Sequence, residues 1–144
     1  MRRLPIFFLL DVSESMAGDS LRQLQQGLDR LVRSLRTDPH ALETVYLSMI
    51  AFAGKAKTLT PLIEVASFYP PRLPVGSGTA LGVALEHLMV EIDKNVIKTT
   101  PDRKGDWKPV VYLMTDGKPT DNIANALRRW QKYYKNQVSL IAIG

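Results

Sequence analysis

The amino-acid sequence predicts an α/β fold, doubly wound and Rossmann-like, with a mostly parallel central sheet, an antiparallel edge strand and helices on both faces. Short runs that are apolar at every position, such as residues 6–10 and 110–114, are typical of strands buried on both faces of a parallel sheet. Between them lie segments with apolar residues at steps of three and four, which indicate amphipathic helices. This alternation of strands and helices favours a parallel α/β sheet.

The first half of the chain opens with an aromatic-rich strand at residues 6–10. A helix follows at residues 21–35, where Ser20 and Gln23 match the spacing of a capping box. The run Thr37-Asp38-Pro39 predicts the end of that helix, because proline cannot continue it. The apolar face of the helix is formed by Leu21, Leu24, Leu28, Leu31, Val32 and Leu35.

The next part of the chain predicts two strands joined by a turn at Gly54. Residues 45–52 have the composition of a strand, and residues 57–60 predict a short strand that Pro61 ends. The two can form an antiparallel hairpin at the edge of the sheet. A rigid loop with prolines at positions 70, 71 and 74 and glycines at 76 and 78 comes next.

The second half predicts a helix that opens at Thr79, a polar surface loop at residues 94–108 and a strand at residues 110–114. A further helix starts at Thr120, and the last strand covers residues 138–143. The apolar side of that last helix consists of Ile123, Leu127, Trp130 and Tyr134. The chain ends on the last strand, at Gly144, whereas a doubly wound sheet with helices on both faces would normally continue with a helix. We therefore expect residues 1–144 to form a single domain that lacks its C-terminal part.

Composition narrows the functional classes. The 144 residues contain no cysteine, which rules out disulfides and zinc–thiolate sites. The net charge is +5, without the basic amphipathic stripe that nucleic-acid binding would favour. No segment reaches the roughly 20 apolar residues of a membrane span, and the apolar run after Met1 lacks a signal-peptide cleavage site. We therefore expect a cytoplasmic protein that binds no nucleic acid.

Oxygen-bearing side chains follow the predicted strands and helix start. Two carboxylates and three hydroxyls form a set of hard ligands suited to Mg²⁺, with Mn²⁺ and Ca²⁺ as alternatives. In a strand order of 3-2-1-4-5 the first and fourth strands flank the point where the order reverses, which is where ligands bind in such sheets. Each residue alone is also an ordinary strand-end or helix-cap residue. The set is Asp11, Ser13, Ser15, Thr79 and Asp116.

The pattern Asp11-x-Ser13-x-Ser15, with Thr79 and Asp116, resembles the metal-ion-dependent adhesion site (MIDAS) of von Willebrand factor A (vWA) domains. The resemblance implies that these residues hold a divalent cation, some of them through water, and that a partner's carboxylate completes its coordination. Family members often have glycine where this chain has Glu14. A conformation that only glycine adopts would be strained there; otherwise Glu14 adds charge at the rim or is merely solvated.

Shorter segments are similar to the bacterial tellurium-resistance (TerY-like) group of vWA proteins. They are the opening Met1-Arg2-Arg3-Leu4-Pro5 and residues 68–82, which contain two adjacent prolines and Gly78-Thr79-Ala80-Leu81. This resemblance implies a cytoplasmic stress-response adaptor that works beside a protein kinase and a PP2C-type phosphatase.

Three functional hypotheses follow. The first is a metal-dependent protein-binding module that is not an enzyme, with Glu14 and Gly78 as candidate partner contacts. The second is a metal-dependent phosphoester hydrolase, which would need a general base, and Glu14 and Asp19 are the nearby carboxylates. The third assigns partner binding to the polar loop through Arg103, Lys104 and Trp107, against the alternative that Trp107 folds onto the domain.

Overall fold

The computed structural model describes residues 2–115 and 119–143. It contains a five-stranded sheet with the strand order β3-β2-β1-β4-β5. The β3 strand runs antiparallel to β2, and the other pairs are parallel. The predicted strand order and fold class are confirmed. The strands are β1 (Leu4–Asp11), β2 (Val45–Phe52), β3 (Ala56–Glu64), β4 (Val110–Met114) and β5 (Ser139–Ile143).

Helices cover both faces of the sheet. Side chains of α1 and α2 belong to the apolar cluster on one face, and those of α3 and α4 belong to the cluster on the other. Short 3₁₀ turns occur at Glu14–Met16 and Val65–Ser67. None of the helices in the described ranges is long and apolar enough to span a membrane. The helices are α1 (Asp19–Arg36), α2 (Pro39–Thr44), α3 (Leu81–Asn95) and α4 (Ala124–Tyr133).

The β1 strand shows why its sequence is apolar at every position. Phe7 and Leu9 enter the cluster under α3 and α4, whereas Phe8 and Leu10 enter the cluster under α1 and α2. All four are at most 1% exposed. Successive strand residues point to opposite faces, so a strand at the centre of a two-sided sheet needs apolar side chains throughout.

The helix α1 begins differently from the sequence prediction. Its N-cap is Gly18, at φ 81°, and no side chain caps the helix. Ser20 lies inside the first turn, so the predicted capping box is wrong. A glycine takes this backbone conformation without the steric cost that other residues meet, and it redirects the chain into the helix.

The predicted end of α1 is confirmed, but the same residues also begin a second helix. Asp38 accepts hydrogen bonds from the backbone N–H groups of His40 and Ala41, at 2.9 and 3.4 Å. Pro39 takes the first helical position of α2, where its missing N–H is not needed. The Asp-Pro pair thus caps a short helix that the sequence analysis missed.

The β3 strand extends beyond Pro61, contrary to the prediction that proline ends it. Its position at the edge of the sheet explains this, because the outer side of an edge strand needs no N–H donor. The pairing with β2 shifts register on both sides of Met49. The Ser48 hydroxyl donates to the Thr60 carbonyl at 2.9 Å within this irregular stretch.

The helices α3 and α4 begin later than predicted, at Leu81 and Ala124. In α4 the buried residues are Ala126 and Trp130, whereas Leu127 is 36% exposed. The prediction that Leu127 lies on the buried side is therefore wrong. Neighbouring positions of a helix point about 100° apart. Ala126, one residue before Leu127, therefore takes the buried position next to α3.

Candidate functional site at the carboxyl end of the sheet

The carboxyl ends of β1 and β4 lie side by side, as the predicted strand order requires. Leu10 pairs with Met114, so the residues that follow, Asp11 and Thr115, are neighbours. Asp11 is fully buried at the last position of β1. Asp116, the predicted ligand after β4, lies outside the described residues.

Both carboxylate oxygens of Asp11 accept hydrogen bonds. The backbone N–H of Ser13 donates to Oδ1 at 2.8 Å, and the Thr115 hydroxyl donates to Oδ2 at 2.6 Å. A carboxylate offers about four lone-pair directions, so both oxygens retain further acceptor capacity. These two contacts fix the orientation of the carboxylate relative to the Ser13 loop.

The hydroxyl oxygens of Ser13 and Ser15 lie 3.0 Å apart. The chain forms a 3₁₀ turn directly after Ser13. The backbone N–H of Met16 donates to the Ser13 carbonyl at 2.9 Å, and the buried Met16 side chain anchors the turn. Ser13 is 4% exposed and Ser15 is exposed, so the pair extends from the interior to the surface.

The loop that contains Thr79 runs beside the Ser13 loop. Gly76 forms a parallel bridge with Ser13, and its N–H donates to the Val12 carbonyl at 2.9 Å. Gly78 has φ +88°, which gives the chain a turn that glycine adopts readily. Thr79 follows, only 7% exposed. The structure therefore brings Asp11, both serines and the Thr79 loop to the same end of the sheet.

Glu14 stands at a position that is often glycine in vWA-like sequences, so a strained backbone was one expectation there. Positive φ values among the described residues occur only at Gly18 and Gly78, so Glu14 is not in a conformation reserved for glycine. Its carboxylate accepts a hydrogen bond from the Ser77 hydroxyl at 2.7 Å. Glu14 thereby connects the serine turn to the loop that leads to Thr79.

Two residues that sequence analysis did not assign to the site hold the Thr79 loop. The Thr79 N–H donates to the Thr120 hydroxyl at 3.0 Å, and the Thr120 N–H donates to the Thr79 carbonyl at 2.8 Å. The Asp121 carboxylate accepts from the N–H groups of Gly82 and Val83, at 3.2 and 3.0 Å. Asp121 thus caps α3 from about forty positions away, and no local pattern reveals such a cap.

Thr115 is a third residue that sequence analysis did not assign to the site, although its position in the sequence could have indicated it. A hydroxyl directly after the fourth strand becomes a neighbour of Asp11 as soon as the strand order is known. Its contact with Asp11 joins the loops that follow β1 and β4.

The spacing of the two serine hydroxyls is compatible with a hard divalent cation. Adjacent ligands of an octahedral Mg²⁺ site, at 2.0–2.1 Å from the metal, lie about 2.8–3.0 Å apart, and the two serine oxygens are separated by 3.0 Å. The same separation also suits a hydrogen bond between them. No group of three His, Cys, Asp or Glu side chains suited to a metal occurs in residues 2–115 and 119–143.

The other predicted partner residues lie at the opposite end of the sheet. The backbone N–H of Trp107 donates to the carbonyl of Arg3, which precedes β1. Its ring packs against the Arg2 guanidinium, at 5.5 Å from the ring centre, and against His40. Arg103 and Lys104 are exposed in the same loop. These three residues do not join the Asp11 site, and Trp107 folds onto the domain.

An ion pair fastens this loop to the start of β1. The Arg3 guanidinium donates to both oxygens of Asp106, at 2.8 and 2.7 Å, and to the Asn95 carbonyl at 2.8 Å. It also stacks over the Tyr46 ring. The hydrogen bond to Asp106 raises the pKa of Arg3 above its ordinary value, against the opposing effect of burial.

Comparison with known proteins decides the family. The model of the von Willebrand factor type A domain matches residues 6–144. The chain belongs to the vWA domain family. No curated protein matches it in sequence.

Solved structures share the fold of this vWA domain. The ArnB paralog VWA2 from Sulfolobus acidocaldarius superimposes with a TM-score of 0.66 at 21% identity, over 100% of this chain and 35% of that one. An aerotolerance-related membrane protein from Bacteroides fragilis gives 0.65 at 21% identity, over 98% and 67%. The pilus adhesin SpaC from Lactobacillus rhamnosus GG gives 0.66 at 17% identity, over 83% and 16%.

Proposed function

We propose that this vWA domain is a protein-interaction module whose binding surface is the carboxyl end of the sheet and whose binding depends on a divalent cation. The observation that carries the proposal is the pair of serine hydroxyls, 3.0 Å apart, beside the fixed carboxylate of Asp11. Membership of the vWA family and the fold shared with a pilus adhesin support an interaction role.

Ser13, Ser15 and Thr79 would hold the cation, with Asp11 and Asp116 acting directly or through water. When bound, the cation supplies a Lewis acid that can accept a carboxylate oxygen from a partner, and Mg²⁺ is our first choice. The chain itself fixes the positions of the oxygens. Thr115 and the Ser13 N–H orient Asp11, and Thr120 fixes the backbone of Thr79.

Glu14 and Gly78 flank this surface and are the proposed partner contacts within it. The hydrogen bond from Ser77 keeps the Glu14 carboxylate at the rim, where it adds negative charge near the proposed cation. That charge favours cation binding and disfavours a partner that places a second carboxylate directly beside Glu14. We therefore expect Glu14 to restrict the partners that the surface accepts.

Magnesium titration followed by amide chemical shifts tests the cation site. We expect shifts in residues 11–15 and 78–80, and an affinity at least about tenfold weaker in Ser15→Ala. Ser34→Ala is the matched control, because Ser34 is exposed on α1, and it should bind Mg²⁺ as the parent chain does. Equal affinity in Ser15→Ala and Ser34→Ala would contradict the proposal.

The narrower proposal is a cytoplasmic adaptor of a bacterial tellurium-resistance or stress-response system that contacts a protein kinase and a PP2C-type phosphatase. The similarity of residues 1–5 and 68–82 to that group supports it. Affinity capture from the native cell, with Mg²⁺ and then with EDTA, should recover both enzymes only with Mg²⁺ and only with Asp116 intact. Capture that Asp116→Ala leaves unchanged would contradict metal-dependent binding, and capture of other proteins would contradict this assignment.

The hydrolase alternative gains no support from the contacts of its candidate bases. The Glu14 carboxylate accepts from Ser77, and Asp19 is paired with Arg22. A general base must reach the proton that it abstracts, and the described hydrogen bonds of both carboxylates go to residues other than the serine pair.

A further inference from the structure

A hollow of about 420 Å³ lies between the turn that joins β2 to β3 and the loop at residues 74–77. Its volume is within the range of about 300–1,000 Å³ in which proteins bind ligands. Its buried walls are formed by Val12, Ala51 and Ala53, each at most 6% exposed. Val75, which is 53% exposed, adds an apolar side chain open to solvent. We call this hollow the Val75 pocket.

Backbone contacts hold the walls of the Val75 pocket together. The Gly76 N–H donates to the Val12 carbonyl at 2.9 Å, and the Ala80 N–H donates to the Ala53 carbonyl at 2.7 Å. A side chain at Gly54 would place its Cβ 2.7 Å from the Ser77 carbonyl oxygen, so glycine is needed for this close approach. The pocket is therefore preformed, which lowers the entropy lost on binding.

The rim of the Val75 pocket is basic. Lys55 and Lys57 line it, and both are exposed. Neither forms an ion pair with a carboxylate among residues 2–115 and 119–143. Glu14 reaches the same loop through Ser77, so two ammonium groups stand against one carboxylate. An anionic group that approaches the rim meets a favourable field.

The pocket adjoins the proposed cation site through two of its lining residues. Gly76, which lines the pocket, forms a bridge with Ser13. Ser77 also lines the pocket and contacts Glu14 in the serine turn. A bound chain that contacts the serine hydroxyls thus lies next to an apolar hollow with a basic rim.

We propose that the Val75 pocket receives an apolar side chain from an extended acidic segment of a partner protein, the same segment whose carboxylate the serine site accepts. This inference rests on the proposed function. The apolar walls bury the side chain, and Lys55 and Lys57 attract the acidic residues that flank it. The pocket thereby supplies sequence specificity, which a carboxylate on a cation alone cannot provide.

Selection from a random peptide library displayed on phage, in buffer with Mg²⁺, tests this inference. We expect enriched peptides to combine an acidic residue with a leucine, isoleucine or phenylalanine at a constant separation. Replacing that apolar residue by alanine in the synthetic peptide should weaken binding at least about tenfold, as expected for the loss of a buried aliphatic side chain.

Charge reversal provides the matched variants. Lys55→Glu with Lys57→Glu should weaken binding of the enriched peptide roughly tenfold, because each exposed rim charge adds only a small part of the binding free energy. Arg103→Glu with Lys104→Glu makes the same change in net charge at the other end of the sheet and should alter the affinity less than about twofold. All four residues are exposed, and circular dichroism verifies that both variants fold.

The outcomes separate this inference from the proposed function. Binding that needs Mg²⁺ but is equally strong in both double variants, with no preference for an apolar residue, overturns the pocket and retains the cation site. Binding that needs the apolar residue and the two lysines but survives EDTA supports the pocket and overturns the cation site. A library that yields no enriched peptides overturns the pocket as a peptide site. Binding of only a small anion, or of only a second copy of the chain, at the pocket overturns it too.

Discussion

The two ends of the sheet use polar side chains in different ways. At the amino end, Arg3 and Asp106 satisfy each other with two hydrogen bonds, and the Asp106 side chain is 2% exposed. At the carboxyl end, the Asp11 carboxylate accepts from the Ser13 N–H and the Thr115 hydroxyl, and the hydroxyl oxygens of Ser13 and Ser15 lie 3.0 Å apart. The β1 strand, eight residues long, separates the two ends by about 25 Å.

This difference distinguishes a structural cluster from a candidate binding site. Opposite charges that neutralise each other close a loop onto the fold, and little interaction capacity is left for a partner. A carboxylate held by neutral donors, as Asp11 is by the Ser13 N–H and the Thr115 hydroxyl, keeps a negative charge that can attract a cation. Charge balance within a cluster therefore says more about its role than the number of polar residues does.

The largest expected effect concerns the amino end. Asp106→Ala should lower the free energy of unfolding by about 3 kcal/mol, because it leaves Arg3 without its buried partner and the Ile97 N–H without its acceptor. Urea unfolding measures the change. Asp102→Ala is the matched control, since Asp102 is exposed in the same loop, and it should change the value by less than about 0.5 kcal/mol. Equal effects would mean that the ion pair does not hold the loop.

The next effect depends on pH and also lies at the amino end. Burial, together with the hydrogen bond from the phenol to Asp93 at 2.8 Å, raises the pKa of Tyr134 to about 12. An unfolded tyrosine titrates near about 10, so between these values the unfolded chain loses the proton first. The stabilisation is complete below pH of about 10, and the free energy of unfolding should fall above it by roughly 1 kcal/mol per pH unit.

Urea unfolding across that pH window tests the Tyr134 prediction. Tyr134→Phe should remove this part of the alkaline loss, whereas Tyr133→Phe should keep it, because Tyr133 is 56% exposed. The same pH slope in both variants would show that another group titrates.

The smallest expected change in stability is at the carboxyl end of the sheet. Asp121→Ala removes the acceptor for the N–H groups of Gly82 and Val83 and should lower the free energy of unfolding by about 1 kcal/mol, as a lost helix cap does. Asp121→Asn keeps one acceptor oxygen and should recover part of it. We also expect weaker Mg²⁺ binding in Asp121→Ala, because the Thr79 loop is less firmly held. A loss of stability with unchanged Mg²⁺ affinity would make Asp121 purely structural.

Residue patterns alone predicted the fold class and the segments that form strands and helices. These follow from local signals, since continuous apolar runs and helical spacing reflect burial that each segment needs wherever it is placed. The strand order came instead from the topology that is usual for doubly wound sheets, and with it the end of the sheet at which Asp11 lies. The four described candidate ligands were also selected from the sequence, because short polar motifs after apolar strands mark the carboxyl edge of a parallel sheet.

Which residues support that edge depends on how distant parts of the chain pack together. Thr120 and Asp121 reach the Thr79 loop and the start of α3 across about forty positions, and the Val75 pocket exists because two loops distant in sequence pack together. The same holds for β3, which continues through Pro61 because it is an edge strand. Such contacts depend on where segments meet in space, and the chemistry of a single segment does not contain that information.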